Sequence, residues 1–406
     1  MRIVPLKIES IREAERIVRD LGVSEEAVKI LSPKEVFVAF KIEGINSWEA
    51  NIIKQHLLSL GSDSATEKDA LVKKIKTDTI IFGNLSQLKK LCQKLKDQPF
   101  SLKRIASLLS SYLDNVFKRE FIFKARDKSL RIKGPIICGI INLTTDSFSG
   151  DGLLSQAELT SFKFKYLLLK RVEEMAKYGA KMIDLGAESS RPFSKPIKEK
   201  EELKRVITAL KIIRKKFKKI LISIDTYKYK VAKESLEYGA DIINDITALR
   251  KSPSISSLIK KYRAGIVLMH MKGTPQVMQI NPRYKEGVIE EIVDFFKERL
   301  NYCQKKAIAR EQILIDPGIG FGKSLQDNLC IISQLYKFKF FGLPILIGIS
   351  RKSFIGKLLD LKVEERLIGS LSANLCALFR GANVLRVHDV RETHQAVKIF
   401  SHLFYS

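Results

Sequence analysis

The stretch Gln312-Ile-Leu-Ile-Asp-Pro-Gly-Ile-Gly-Phe-Gly-Lys-Ser324 decides how this chain is read, because an apolar run ends in a carboxylate and then in a glycine-rich turn. Ile313 to Ile315 have the pattern of a parallel strand covered on both faces, and Pro317 rules out simple continuation of the ladder. A buried strand thus delivers the charge of Asp316 to a site, where the glycines let backbone approach a ligand. A P-loop would need glycine five residues before Gly322-Lys323-Ser324; Pro317 stands there, so a nucleotide-triphosphate cradle is excluded. Lys323 is expected to face solvent at the start of the next helix.

Working outward, seven further short apolar runs share this character: Ile136–Ile141, Met182–Leu185, Ile220–Ile224, Ile242–Ile243, Ile266–Met269, Ile345–Ile347 and Val384–Val387. Helical patterns separate them, such as Phe164, Leu167, Leu168, Val172, Met175 and Ala176 on one face. Eightfold alternation of strand and helix over residues 118–406 has the rhythm of a TIM (β/α)8 barrel. A doubly wound open sheet is the alternative, since periodicity does not show closure. Gly179-Ala-Lys-Met-Ile-Asp184, Gly239-Ala-Asp-Ile-Ile-Asn244 and Gly381-Ala-Asn-Val-Leu-Arg386 repeat one layout: a helix-ending glycine, a short strand, then a polar residue. In a barrel this layout brings Asp184, Asn244 and Arg386 to the same face.

Residues 1–117 read as a separate, smaller α/β (α+β) unit, with strands at Ile3–Ile8, Val36–Phe40 and Thr79–Phe82 and helices at Glu49–Leu60, Leu85–Leu95 and Leu102–Phe117. Gly61-Ser-Asp-Ser64 reads as a helix C-cap followed by a turn. No catalytic constellation is visible in this unit. At its junction with the barrel, Phe121-Ile-Phe and Leu130-Arg-Ile flank Asp127-Lys128 as a short hairpin expected to cover the barrel's N-terminal end.

Length and composition bound the reading. The 406 residues, 45% hydrophobic, can supply ample core. Met1 to Ser10 has no signal-peptide core, and no apolar run approaches the roughly 20 residues of a spanning helix, so a cytoplasmic protein without membrane contact is expected. Five dispersed cysteines without Cys-x-x-Cys indicate neither a disulfide frame nor a zinc site. The net charge of +27 favours an anionic substrate. It is scattered over amphipathic segments such as Lys211 to Lys219 with no interleaved aromatics, which argues against nucleic acid as a specific partner. The sequence is compatible with a homodimer and does not define the oligomeric state.

All eight strands exit into hydrogen-bonding residues: Asn142, Asp184 with Glu188-Ser-Ser-Arg191, Asp225, Asn244-Asp245, His270, Asp316, Ser350-Arg-Lys352, and Arg386 with His388-Asp389. One such carboxylate is commonly a helix cap; eight polar exits on one rim point to a site. Asp225, Asn244 and Asp316 can accept hydrogen bonds from a flat heterocycle, whereas Arg351, Lys352, Arg386 and His388 follow the last two strands, where barrels hold phosphate. A polar heterocycle joined to a phosphate or diphosphate is therefore the expected ligand. With five histidines and no His-Glu-x-x-His, a metal-centred hydrolase fits worse. A Schiff-base role for Lys352 suits its neighbours Arg351 and Ser353 less well than anion or carbonyl contact.

Asn142-Leu-Thr-Thr-Asp-Ser-Phe-Ser149, Asp184-Leu-Gly-Ala-Glu-Ser-Ser-Arg-Pro192, Ser223-Ile-Asp-Thr226, Ile243-Asn-Asp245, Met269-His-Met-Lys-Gly-Thr-Pro275, Asp316-Pro-Gly-Ile-Gly-Phe-Gly322, Ser350-Arg-Lys-Ser353 and Arg386-Val-His-Asp389 resemble, in order, the motif series of dihydropteroate synthases. The resemblance covers the chain from about Lys118 onward. It implies a TIM barrel that joins hydroxymethyl-dihydropterin diphosphate to para-aminobenzoate, with help from Mg²⁺. It places the pterin on Asp225, Asn244, Asp316, Lys352, Met269 and Phe321, and the diphosphate on Asn142, Arg386 and His388, with Asn142 also at the metal. Catalysis would fall to Lys352, Arg386 and His388. Ser190, Arg191, Pro192, Phe148 and Ser353 would shape the aminobenzoate pocket.

Thr145 and Phe193 stand where the family usually has proline and glycine, departures that bear on loop closure and aminobenzoate affinity more than on pterin binding; Ala187 for a usual glycine and Ser190 for a usual threonine are milder changes. Residues 1–117 look like the extension of longer members, with no role implied. A methyltetrahydrofolate:corrinoid methyltransferase is the runner-up, disfavoured because it has no diphosphate for Ser350-Arg-Lys-Ser353 and Arg386-Val-His388 to hold. A binding module that has lost catalysis is the third reading.

Overall fold

The computed structural model describes residues 2–8, 10–99, 101–144, 153, 158–188, 197–275 and 277–404. They form two compact units, Met1–Lys118 with Phe340–Gly342, and Arg119–Lys339 with Leu343–Ser406. In the first unit β1 (Phe37–Asn46), β2 (Asp63–Thr66) and β3 (Lys76–Asn84) make an antiparallel sheet in the order β1-β3-β2. Helices Ser47–Ser59, Leu85–Lys96 and Leu102–Val116 bury Ile53, Leu57, Leu88, Leu91 and Leu109 in one core with Ile81. Gly61 takes the left-handed turn (φ 72°) after the first of these helices, and Asp63 and Ser64 already belong to β2.

The strand expected at Ile3–Ile8 is absent. Ile3 is 90% exposed and Pro5 has no N–H to donate, so the segment's apolar residues meet no partner strand. Two helices stand near it that the sequence reading lacks, Ile11–Asp20 and Glu25–Glu35. Their buried faces hold just Ala14 and Val18, and Val28 and Ser32, a stripe too thin for periodicity to show.

In the second unit the hairpin β4 (Phe121–Ala125) and β5 (Lys128–Ile132) turns at Arg126 (φ 60°), one residue earlier than expected. Eight parallel strands follow: β6 (Ile136–Asn142), β7 (Met182–Gly186), β8 (Leu221–Asp225), β9 (Ile242–Asp245), β10 (Gly265–Met269), β11 (Ile313–Asp316), β12 (Leu346–Ile347) and β13 (Val384–Val387). Each pairs with its sequence neighbour, β13 pairs with β6, and a parallel bridge from Ile315 to Ile345 joins β11 to the β12 segment. The sheet therefore closes into a TIM barrel, and the open doubly wound alternative falls away.

Closure follows from residue character. The strands carry continuous apolar runs because both faces are covered, by helices outside and by one another inside. Gly179, Gly239 and Gly381 take φ of 79°, 95° and 108° and end the helices that feed β7, β9 and β13. At the N-terminal mouth Phe121, Phe123, Ala125 and Ile132 of the hairpin pack on Ile136, Met182, Leu221, Ile242, Val267, Leu314, Leu346 and Val384. Gly265 makes room there, since a Cβ would lie 2.5 Å from the Phe123 ring. The plug leaves the opposite end, where the polar residues exit, as the open face.

Candidate functional site

Two carboxylates converge on one cation, and an amide supports one of them. Arg386 of β13 donates from Nε to Asp184 Oδ2 (2.6 Å) and from Nη2 to Asp225 Oδ2 (2.9 Å), and Asn244 Nδ2 also reaches Asp184 Oδ2 (3.2 Å). The repeated layout in the sequence thus corresponds to a real meeting of Asp184, Asn244 and Arg386. Asp184 is not at a strand end as expected; it is the third residue of β7, level with Ile140 and Ser223, and 1% exposed. Its Oδ1 is buried without a hydrogen-bond partner among the described residues. Burial works against the Arg386 cation, but Asp184 and Asp225 outweigh it and raise its pKa above the ordinary guanidinium value.

Asp225 and Asp316 end β8 and β11. Burial pushes the Asp225 carboxyl up to about 7, against the pull of Arg386 and with the help of Asp184. Burial also raises Asp316, opposed first by Lys352 and then by the Gly318 N–H, which donates to Asp316 Oδ1 (2.7 Å). Lys352 donates to the Ile319 carbonyl and stands 4.6 Å from the centre of the Phe321 ring. Burial brings its pKa down to about 8, with Asp316 resisting. Met269 and Phe321 pack with Tyr227, Ile246 and Met271, an apolar wall beside these charges.

On the last two exits, His388 Nδ1 lies 3.0 Å from Ser350 Oγ, which also accepts from His388 N (3.3 Å). Arg351, at φ 57°, donates from Nε to Asp389 Oδ2 (2.9 Å), and its N–H meets Ser370 Oγ (2.8 Å). Arg351 thus ties the loops after β12 and β13 together through Asp389. Asn142 ends β6, and Ser353 is exposed at the start of the helix Ser353–Leu359. Phe148, Ser190, Arg191 and Pro192, with Thr145 and Phe193, lie outside the described residues.

Several strand-end groups are spent on the fold. Asp245 accepts from Thr247 N (2.7 Å) and Leu249 N (2.8 Å), shaping the turn where Ala248 and Leu249 take positive φ. His270 is buried, and its Nδ1 contacts Lys323 Nζ (2.8 Å). Lys323 itself is 2% exposed, so the expectation that it faces solvent is wrong. Ser324 caps the next helix, and a residue just before a cap can point either way, which sequence alone does not resolve.

Sequence reasoning also missed an ion-pair network just past the exit of β8. Lys228 Nζ bridges Glu188 Oε2 (2.5 Å) and Glu202 Oε2 (2.6 Å), while Tyr227 O–H donates to Glu188 (2.5 Å) and Thr226 O–H to Glu202 (2.6 Å). Burial raises the Glu202 pKa against the pull of Lys228. Among the described residues no group of three or more His, Cys, Asp or Glu side chains is arranged to hold a metal.

A closed barrel with acceptors on its middle strands and basic groups on its last two defines a pterin-binding enzyme, and residues 138–388 match the family described as pterin binding enzyme. The chain is 39% identical to the dihydropteroate synthase of Haemophilus influenzae over 276 residues, 68% of this chain and 96% of that one. With the Escherichia coli K12 dihydropteroate synthase it shares 40% over 275 residues, 68% of this chain and 94% of the relative. It superposes on the Yersinia pestis dihydropteroate synthase with a sulfonamide drug complex at TM-score 0.65 and 36% identity, covering 70% of this chain and 100% of that one.

This chain belongs to the dihydropteroate synthases. It is a transferase of folate biosynthesis that condenses hydroxymethyl-dihydropterin diphosphate with para-aminobenzoate, giving dihydropteroate and diphosphate. A bifunctional dihydropteroate synthase/dihydropteroate reductase of Helicobacter pylori is 34% identical over 387 residues, 94% of either chain, so its likeness extends through the N-terminal unit.

Proposed function

We propose that Asp225, Asn244 and Asp316 hold the pterin through its ring N–H groups, with Lys352 donating to its carbonyl side and Met269 and Phe321 against its faces. What carries this reading is the placement of two buried carboxylates at strand exits beside a lysine, each burial-strained and each able to gain charge-assisted hydrogen bonds from an amino-pyrimidinone. Arg386 leaves Asp225 to the ligand, covers the ring and, with His388 and Asn142, meets the diphosphate. The C–O bond to diphosphate breaks first, its electrons leaving with the diphosphate. The aminobenzoate nitrogen then forms the new C–N bond to the pterin methylene and gives up a proton. Ser190, Arg191, Pro192, Phe148 and Ser353 remain the proposed aminobenzoate contacts.

Mg²⁺ is the proposed cofactor. A single amide at Asn142, with no carboxylate cage among the described residues, suits an ion carried chiefly by diphosphate oxygens and water. Bound there, it would supply charge for the departing diphosphate. Asn142 would offer its amide oxygen, and His388 and Arg386 would hold the remaining phosphate oxygens.

A cytoplasmic location is proposed on two grounds: the described cysteines are all unpaired thiols, and no described helix is long and apolar enough to cross a membrane. No specific nucleic-acid partner is proposed. A homodimer is proposed, because Ile368, Ile399 and Leu403 on the last two helices are exposed apolar surface that a second copy would cover; sedimentation tests it. A second activity, reduction of dihydropteroate, is favoured by the full-length likeness to the bifunctional relative, and is tested by supplying dihydropteroate with reduced nicotinamide or flavin.

The deciding experiment is diphosphate release by purified protein. It should require Mg²⁺, the pterin diphosphate and para-aminobenzoate together. Strong pterin-diphosphate binding with no product at any aminobenzoate concentration would leave only a binding module.

A further inference from the structure

The turn after β11 has its carbonyls captured one by one. Phe321 N–H donates to Gly318 O (3.1 Å), Lys352 Nζ to Ile319 O, Gln279 Nε2 to Gly320 O, Lys323 Nζ to Phe321 O (3.1 Å) and Tyr284 O–H to Gly322 O (2.8 Å). Lys323 Nζ also takes His270 O (3.1 Å), at the exit of β10, and contacts His270 Nδ1 (2.8 Å). The amine therefore joins two strand exits inside the protein.

Its partners explain how a lysine survives there. Two carbonyls occupy two N–H groups, and the third partner is a ring nitrogen that can accept from an ammonium or donate to a neutral amine. Lys323 is thus satisfied in either protonation state, which suits a group that burial drives well below the ordinary lysine pKa. The turn itself has no space for a substitute donor. A Cβ on Gly318 would lie 2.0 Å from His270 O, and one on Gly322 would lie 2.2 Å from Lys272 O. Gly318 in turn aims Asp316 through its N–H, so anything that shifts this turn shifts the carboxylate.

We propose that Lys323 is a positioning residue for the pterin, locking the Gly318–Gly322 turn to the exit of β10 and thereby fixing Asp316, Phe321 and the carbonyl that orients Lys352. The proposal rests on the pterin placement above. In that placement Lys323 acts through His270 and Phe321 and not by contact with the pterin. Without its amine, the buried His270 carbonyl and the part-buried Phe321 carbonyl lose their donor, while β10 and β11 stay paired through Met269 and Asp316. The strain is then released in the turn rather than in the barrel.

The test is Lys323→Met beside the wild type, read by circular dichroism, pterin-diphosphate titration and the aminobenzoate KM at saturating pterin diphosphate. A folded variant should bind pterin diphosphate about tenfold more weakly, with an aminobenzoate KM within about twofold of wild type. Wild-type pterin affinity in the folded variant, or equal losses for both substrates, overturns the proposal. Should the methionine variant not fold, Lys323→Gln decides, since its amide restores part of the donor set. A pterin loss of about threefold or more with unchanged aminobenzoate KM supports the role, and wild-type affinity overturns it. Failure of the wild type to bind pterin diphosphate would instead overturn the pterin placement, a separate result of the same titration.

Discussion

Arg386 Nε lies 2.6 Å from Asp184 Oδ2 while its Nη2 lies 2.9 Å from Asp225 Oδ2, so one cation spans a carboxylate inside the barrel and another at its rim. The inner contact is the permanent one in the proposed mechanism, because Asp225 must accept from the pterin and Asp184 need not. Asp184→Asn removes the charge that anchors Arg386 and changes the acceptor shared with Asn244. The expected cost is about tenfold or more in kcat/KM, equivalent to about 1.4 kcal/mol of transition-state stabilisation. Steady-state kinetics on a variant with wild-type circular dichroism checks it, and unchanged kcat/KM would remove Asp184 from the site.

Lys352→Ala should be more damaging. It removes a partly buried cation beside Asp316 and the donor to Ile319 O, and losing a charged hydrogen bond to substrate costs on the order of 1.5–3 kcal/mol, or about ten- to hundredfold in rate. Substitution at Lys323, which from sequence alone would be mild, is expected to weaken pterin binding as well. The two variants should differ in kcat, with Lys352→Ala the more impaired. Equal kcat in both would misplace Lys352.

Pterin-diphosphate affinity should depend on pH through Asp225 and Lys352. Asp225 accepts with both oxygens and full charge assistance only when ionised, so affinity rises as pH climbs through about 7; Lys352 donates as a cation only below about 8, so affinity falls beyond that. A narrow optimum between these values is expected in titrations from about pH 5.5 to 9, and Asp225→Asn should abolish the acid limb. For stability of the ligand-free protein the expected sign on that limb is the opposite. Its folded state keeps on Asp225 a proton that the unfolded chain gives up near pH 4, so this group lowers stability as pH rises from about 4 to 7. An acid limb that persists in Asp225→Asn would assign it elsewhere.

A chain starting just before Lys118 should fold and retain pterin-diphosphate binding. Every strand exit named here lies beyond residue 140, and the Yersinia pestis relative, covered over 100% of its own chain, corresponds to 70% of this one. The cut must keep Phe121 to Ile132, whose burial under the barrel contributes about 1.5–3 kcal/mol for each large side chain. Circular dichroism with a pterin-diphosphate titration checks this. A folded barrel that no longer binds would give the N-terminal unit a share in the site.

The sequence by itself determined the eightfold alternation of strand and helix and most of the polar rim, while closure of the sheet into a barrel was decided by the pairing of β13 with β6 and the bridge from Ile315 to Ile345. Continuous apolar runs between amphipathic helices allow little but parallel strands covered on both faces, and Gly179, Gly239 and Gly381 mark where three of the strands begin. Asp225, Asn244, Asp316, Lys352, Arg386 and His388 were legible because a strand places its last residues at one end of the barrel, whatever their partners. The direction and partners of a side chain are another matter, since they depend on segments distant in sequence. Lys323 looked like a surface lysine after a glycine turn until β10 supplied two partners for its amine. Asp184 looked like one rim carboxylate among several until register set it below the rim, under Arg386. Ile3 to Ile8 looked like a strand, but a strand requires a neighbour to take its hydrogen bonds, and only the tertiary structure decided that none was there.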